Sequence, residues 1–312
     1  MKKVNGFVYF GKMMHVINRI SSKDPTNVSN KFITDGRYKL YMKYRQKKYL
    51  SLAKKRKLYL LGKSENFLEL SKEELKEFHT KFSSDFKEFL PTCLTKMTDT
   101  EAICPFCERQ FPSFITTEHI LPQSEAAEFI ILPANMILAC RDCNTWSHSR
   151  MGMNNTDTEI NLYFESYDIT RNIEINFVTD RNANQELLIY RPEVKFASNR
   201  YSDPVLQNRL YRFWKNYQLG NTYSKEAHKT FLNISIRLVV KLTNNGAQAV
   251  DRRKLTAYLE EIKKEAKECN RVEERIANFY WEFRISDFFL KNAVEFDNLC
   301  VFLNGKLNEL VT

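Results

Sequence analysis

Four cysteines stand in two short pairs, Cys104-Pro105-Phe106-Cys107 and Cys140-Arg141-Asp142-Cys143, with 32 residues between them. Each pair sets two thiolates on one tight turn, and two such turns brought together give the tetrahedral sulfur set that zinc prefers. The expectation is a structural zinc on Cys104, Cys107, Cys140 and Cys143. An ion with four cysteine ligands has no open position, so it organises the fold and leaves chemistry to other groups. Between the pairs, Thr117-Glu118-His119-Ile120-Leu121-Pro122 places a carboxylate beside an imidazole in a β-prone stretch stopped by proline. Neighbours on a strand point to opposite faces, so one can hold a cation while the other faces substrate. Asn135 follows in Leu132-Pro133-Ala134-Asn135-Met136-Ile137. Asn144, directly after the second pair, should begin a helix that carries His148 one turn on, on the same face. Taken singly, each of these polar residues reads as an ordinary hydrogen-bonding group; their order between two cysteine turns is what gives them weight.

The elements that must position these residues can be read by periodicity. From Arg37 to Lys63 there are eleven Lys or Arg, with Tyr41, Tyr44, Tyr49 and Tyr59 among them. The pattern predicts a basic helix or helix pair suited to phosphate contacts and stacking, with Lys54, Lys55, Arg56 and Lys57 as candidate nucleic-acid contacts. A solvated helix face with inward-packed tyrosines explains any single residue there equally well. Ser71-Lys72-Glu73-Glu74 has the form of a capping box, followed by Leu75, Phe78, Phe82, Phe86 and Phe89 as a core stripe. Ile160 to Tyr167, Ile173 to Val178 and Leu187 to Tyr190 predict two or three strands, with a possible hairpin. Asp203-Pro204 then opens a helical tail. A first stripe, Leu206 to Tyr217, is expected to end at Gly220. A second, Phe231 to Leu242, ends at Asn244-Asn245-Gly246, and a third starts near Asp251.

The chain is therefore expected to be α+β and mostly helical, in four segments: a basic helical region over 1–91, a metal-organised core over 92–157, a β-rich segment over 158–200 and a helical region over 201–312. Its 312 residues, 43% hydrophobic and 13% aromatic, can fill a real core and exclude a disordered chain. A formal charge of +10 attracts polyanions, nucleic acid first and an acidic membrane surface second. No apolar run is long enough for a secretory or membrane-spanning segment, so a soluble, cytoplasmic protein is expected. Seven cysteines are an odd number for a disulfide framework. Cys93, Cys269 and Cys300 are read as buried small residues.

The succession Cys-x-x-Cys, Glu-His-Ile-Leu-Pro, Ile-Leu-Pro-Ala-Asn-Met-Ile-x-Ala-Cys-x-x-Cys-Asn closely resembles the HNH endonucleases, in which two strands and a helix clasp a divalent ion. The resemblance covers Cys104 to Arg150, with an echo at Asn161-Leu162-Tyr163-Phe164-Glu165, where relatives tend to have His-Pro-Tyr-Phe-Asp. It implies a zinc-stabilised ββα-metal core that hydrolyses phosphodiester bonds. By that likeness His119 is the general base, Glu118 and Asn144 hold Mg²⁺ or Mn²⁺, and Asn135 orients His119. His148 is a candidate additional ligand. The lysine that relatives carry three residues after this asparagine is Ser147 here, with Arg150 a candidate substitute for its phosphate contact. Similar proteins resemble effectors of bacterial anti-phage systems working with an ATPase. Two other readings stay open: a zinc-stabilised nucleic-acid-binding module without catalysis, and the same chemistry directed at RNA.

Overall fold

The computed structural model describes residues 10–62, 64, 66–90, 93–94, 102–109, 115–146, 154, 156, 158–165, 167–181, 187–198, 200–244, 249–273 and 278–311. It is α+β and mostly helical, with small antiparallel sheets. The chain forms two compact units, one from Met1–Leu94, Thr100–Ile169 and Ser198–Gln218, the other from Thr95–Asp99, Thr170–Ala197 and Leu219–Thr312.

The first unit opens with three helices, α1 (Phe10–Lys23), α2 (Asn27–Thr34) and α3 (Gly36–Lys54). Helix α1 buries Met13, Val16, Ile17 and Ile20, the spacing of one helical face. Thr26 and Ser29 close a capping box on α2, and Asp35 caps α3 by accepting from Arg37 N. Helix α3 turns Tyr38, Met42, Tyr49 and Ala53 into the core, leaving Lys43, Tyr44, Lys47 and Lys54 exposed. A two-strand turn, β1 (Asn66–Phe67) with β2 (Leu70–Ser71), leads into α4 (Lys72–Phe86). The Ser71–Glu74 capping box forms as expected, and Leu75, Phe78, Phe82 and Phe86 are buried. After a short pair, β3 (Cys93–Leu94) and β4 (Ala102–Ile103), come β5 (Ile115–His119), β6 (Met136–Cys140) and α5 (Arg141–Trp146). Strands β5 and β6 pair antiparallel from Ile115 opposite Cys140 to His119 opposite Met136. Helix α5 follows β6 directly and packs on both strands.

The second unit contains the hairpin of β7 (Ile173–Arg181) and β8 (Leu187–Phe196), paired antiparallel. Helix α6 (Pro204–Asn216) belongs to the first unit. Helices α7 (Leu219–Asn244), α8 (Arg252–Glu273), α9 (Asn278–Lys291) and α10 (Ala293–Val311) complete the second. Phe177 and Tyr190 on the hairpin pack with Phe231 of α7, Phe289 of α9 and, for Tyr190, Phe302 of α10, at ring separations of 4.8 to 6.3 Å.

Several sequence expectations change. The described residues from Ile160 to Tyr167 hold no strand: Asn161 O accepts from Phe164 N and Glu165 N, and its side chain accepts from Tyr163 N, which turns the chain back on itself. Helix α6 ends at Asn216, four residues before Gly220, which lies inside α7; Gln218 takes the left-handed turn between them at φ 46°. Asn144 sits within α5, because the helix begins at Arg141. Asn135 lies in the connection between β5 and β6. Cys269 and Cys300 are half-buried, whereas the Cys93 side chain lies outside the described residues.

Candidate metal centre and active site

The two cysteine turns converge. The sulfurs of Cys104, Cys107, Cys140 and Cys143 lie within 4.8 Å of one another, and all four residues are buried. Cys107 Sγ and Cys140 Sγ are 3.7 Å apart. Four sulfurs placed about 2.3 Å from one ion in a tetrahedron are about 3.8 Å apart, so the set fits a structural metal such as zinc. Local backbone geometry builds the first turn: Glu108 N donates to Cys104 O and Cys104 N to Arg109 O, each at 2.8 Å, with Glu108 in the left-handed region at φ 57°. The second turn is the junction of β6 and α5, where Cys140 N donates to Cys104 Sγ at 3.5 Å. Within the thiol cluster, hydrogen bonds from the other three cysteines lower the Cys140 pKa, while burial and hydrogen bonding raise those of Cys104 and Cys143. Phe106, between the first two cysteines, packs its ring against Phe213 and Tyr217, 5.9 and 4.3 Å away, so α6 braces the turn.

Strand β5 ends in Glu118 and His119, both buried. The imidazole of His119 is fixed on several sides. Its Nε2 lies 3.0 Å from Ile130 O, and the Gln123 amide nitrogen is 3.0 Å from Nδ1 and 3.2 Å from Nε2. A carbonyl can only accept, so Nε2 carries the proton and Nδ1 presents the lone pair. Burial holds the His119 pKa down at about 3, with the neighbouring His79 imidazole adding to the effect, so His119 is neutral near pH 7. That is the protonation state in which a histidine takes up a proton.

Asn135 is fully buried and saturated. Its Oδ1 accepts from Leu121 N at 2.7 Å and from the Tyr49 hydroxyl at 3.1 Å; its Nδ2 donates to Leu121 O at 2.9 Å and to Phe129 O at 3.1 Å. Its own carbonyl accepts from Ile120 N. None of its side-chain bonds reaches the imidazole, so any hold on His119 acts through the loop that starts one residue later. Tyr49 also accepts from Asn161 Nδ2 at 3.3 Å, which joins α3, this loop and the 161–165 turn through one hydroxyl.

Glu118 points to the opposite face of β5 from His119, and Asn144 is half-buried on α5, the helix packed against that strand. Among the described residues the cysteine group is the only set of three or more His, Cys, Asp or Glu suited to a metal. His148 and Arg150 lie outside the described residues.

The end of α3 and the residues that follow it leave Lys54, Lys55, Arg56 and Lys57 exposed. Arg56 is not free: its Nε lies 3.2 Å from Glu165. Glu165 is itself buried and grips Arg209 at both oxygens, 2.7 and 2.8 Å, while accepting from Asn161 N. The acid in the Asn161–Glu165 segment thus serves as the hub that holds this turn on α6.

Sequence reasoning missed His79 and Gln123. His79 projects from α4 onto His119 with ring centroids 5.0 Å apart. Its signal was its place in the helix: Lys72, Leu75, His79, Phe82 and Phe86 fall on one face, and His79 is a polar interruption of that inward stripe.

No family model, no curated protein and no solved structure matches this chain.

Proposed function

We propose that the chain is a metal-dependent endonuclease of the HNH type that hydrolyses phosphodiester bonds in DNA. The observation that carries this reading is His119: a neutral imidazole with one nitrogen tied to a backbone carbonyl and the other accepting from the Gln123 amide, next to a carboxylate facing the other way. Phosphodiester hydrolysis needs a water deprotonated in line with the leaving oxygen, and Nδ1 is the atom to take that proton. A Mg²⁺ or Mn²⁺ ion on Glu118 and Asn144 would neutralise phosphate oxygens and the leaving alkoxide. Asn135 keeps the loop that presents His119 in one conformation. The cysteine set would bind zinc and clamp the start of α5 to β6. General-base assistance alone contributes about 10²–10⁴-fold. Removing His119 should cost at least that much.

The resemblance in the 104–150 segment extends the proposal to an effector of a bacterial anti-phage system acting with an ATPase. A second reading, a zinc-stabilised binding module without catalysis, draws on the Gln123 amide seated on His119 and on the burial of that ring. RNA remains the alternative substrate, since a site built on phosphate contacts reads no sugar. Purified protein incubated with DNA or RNA and Mg²⁺ or Mn²⁺ decides among them. Cutting of DNA that falls at least a hundredfold in His119→Ala supports the proposal, and cutting that survives the substitution removes His119 as the base. Binding with no cutting of either polymer would establish the module.

A further inference from the structure

We infer that His79 is a second imidazole of the reaction centre, placed to hold the attacking water beside His119. The inference rests on the nuclease reading above and names a residue outside the 104–150 segment. Three observations point to it. His79 is half-buried on α4, between the fully buried Leu75 and Phe82. Its ring lies 5.0 Å from that of His119, tilted by 57°. Its Nε2 is shielded from solvent and has no hydrogen-bond partner among the described residues.

A phenylalanine, the residue at Phe78, Phe82 and Phe86, would fill this position without leaving a buried nitrogen unpaired. The imidazole therefore costs the fold something that packing does not return. An imidazole nitrogen that carries no proton can take a hydrogen bond from water. With the two rings in contact, a water at the edge of the pair is within reach of both. The Gln123 amide, 3.0 Å from His119 Nδ1, marks where a donor sits on that nitrogen, and the water takes that position when the amide swings away.

The step then balances. The water oxygen forms the new P–O bond while one of its protons passes to His119 Nδ1. The bond from phosphorus to the leaving oxygen breaks, and that oxygen takes a proton from solvent. His79 accepts a hydrogen bond from the second proton of the water and undergoes no net change.

Steady-state cleavage by wild-type protein, His79→Phe and His79→Gln tests this, with the melting temperature measured alongside. In His79→Phe, kcat should fall about tenfold with KM unchanged and the melting temperature equal to wild type or higher. In His79→Gln, whose side chain can still accept from water, kcat should recover most of that loss. Wild-type kcat in His79→Phe, an equal loss in both variants, a change confined to KM, or a lowered melting temperature in His79→Phe would each overturn the inference while leaving the nuclease reading intact. A wild-type protein that cuts nothing would overturn both.

Discussion

Buried polar side chains decide most of what is specific about the first unit. Burial alone lowers the His79 pKa from 6.5 to about 4. Above pH 6.5 the imidazole is neutral in native and unfolded chains and adds no pH dependence. Between 6.5 and 4 the unfolded chain takes up a proton that the native state refuses, so stability falls as pH is lowered, by up to about 3 kcal/mol from this group. Urea unfolding at pH 7 and pH 4.5 should show that loss, and His79→Phe should lose less; an equal acid loss in the variant would show that His79 does not contribute. Asn135 makes the contrasting case, with every donor and acceptor used. Asn135→Ala strands the Leu121 amide and two carbonyls in the interior and should cost about 3 kcal/mol or more. Tyr49→Phe removes one hydroxyl and should cost about 1 kcal/mol. Chemical denaturation of the two variants checks the order.

At the level of elements, the cysteine turns join pieces too small to be stable alone. Strands β5 and β6 have five residues each and α5 has six. Such a hairpin and a helix of under two turns need an external clamp. Cys140→Ser should therefore lower folding stability by several kcal/mol and release the metal, read by denaturation together with metal content. A variant that stays folded without metal would contradict the clamp.

Elements with local chemistry were legible in the sequence. The Ser71–Glu74 box, the Asp203-Pro204 start and the two cysteine turns each depend on residues within a few positions of one another, and all appear where expected. What failed depended on competition or on distance. Asn161 overrode the β-branched and aromatic character of 160–167 by capping its own turn. Gln218 took a left-handed conformation where the glycine two residues later was expected to end the helix. His79 escaped notice because its partner lies forty residues away along the chain and on another element.

For the whole molecule, charge is the relevant quantity. No acidic residue occurs from Gly36 to Lys63, and Lys54, Lys55 and Lys57 are exposed with no carboxylate partner among the described residues. Arg56 differs through its pair with Glu165. Binding to duplex DNA should weaken steeply with salt. Replacing the three lysines by glutamine should flatten the log–log slope by about 2–3, since each phosphate contact contributes about 0.9. A slope unchanged by the triple variant would place the phosphate contacts elsewhere. Among the described helices none is long and apolar enough to cross a membrane.

The hydroxyl of Tyr49 on Asn135 bears on how this protein can be cut into pieces. The segment that carries the recognisable residues, 104–150, is not self-sufficient: Leu121, Phe129, Ile130, Ile131 and Leu132 lie in the same apolar core as Phe32, Tyr38, Met42 and Phe82. A fragment excised at the edges of that segment would expose those five side chains to water and leave the asparagine oxygen one donor short. It should precipitate, or come apart from its hairpin, however much metal is supplied. Any shortened version meant to keep its chemistry has to begin upstream of α1, because the helices there are the far wall of the same room.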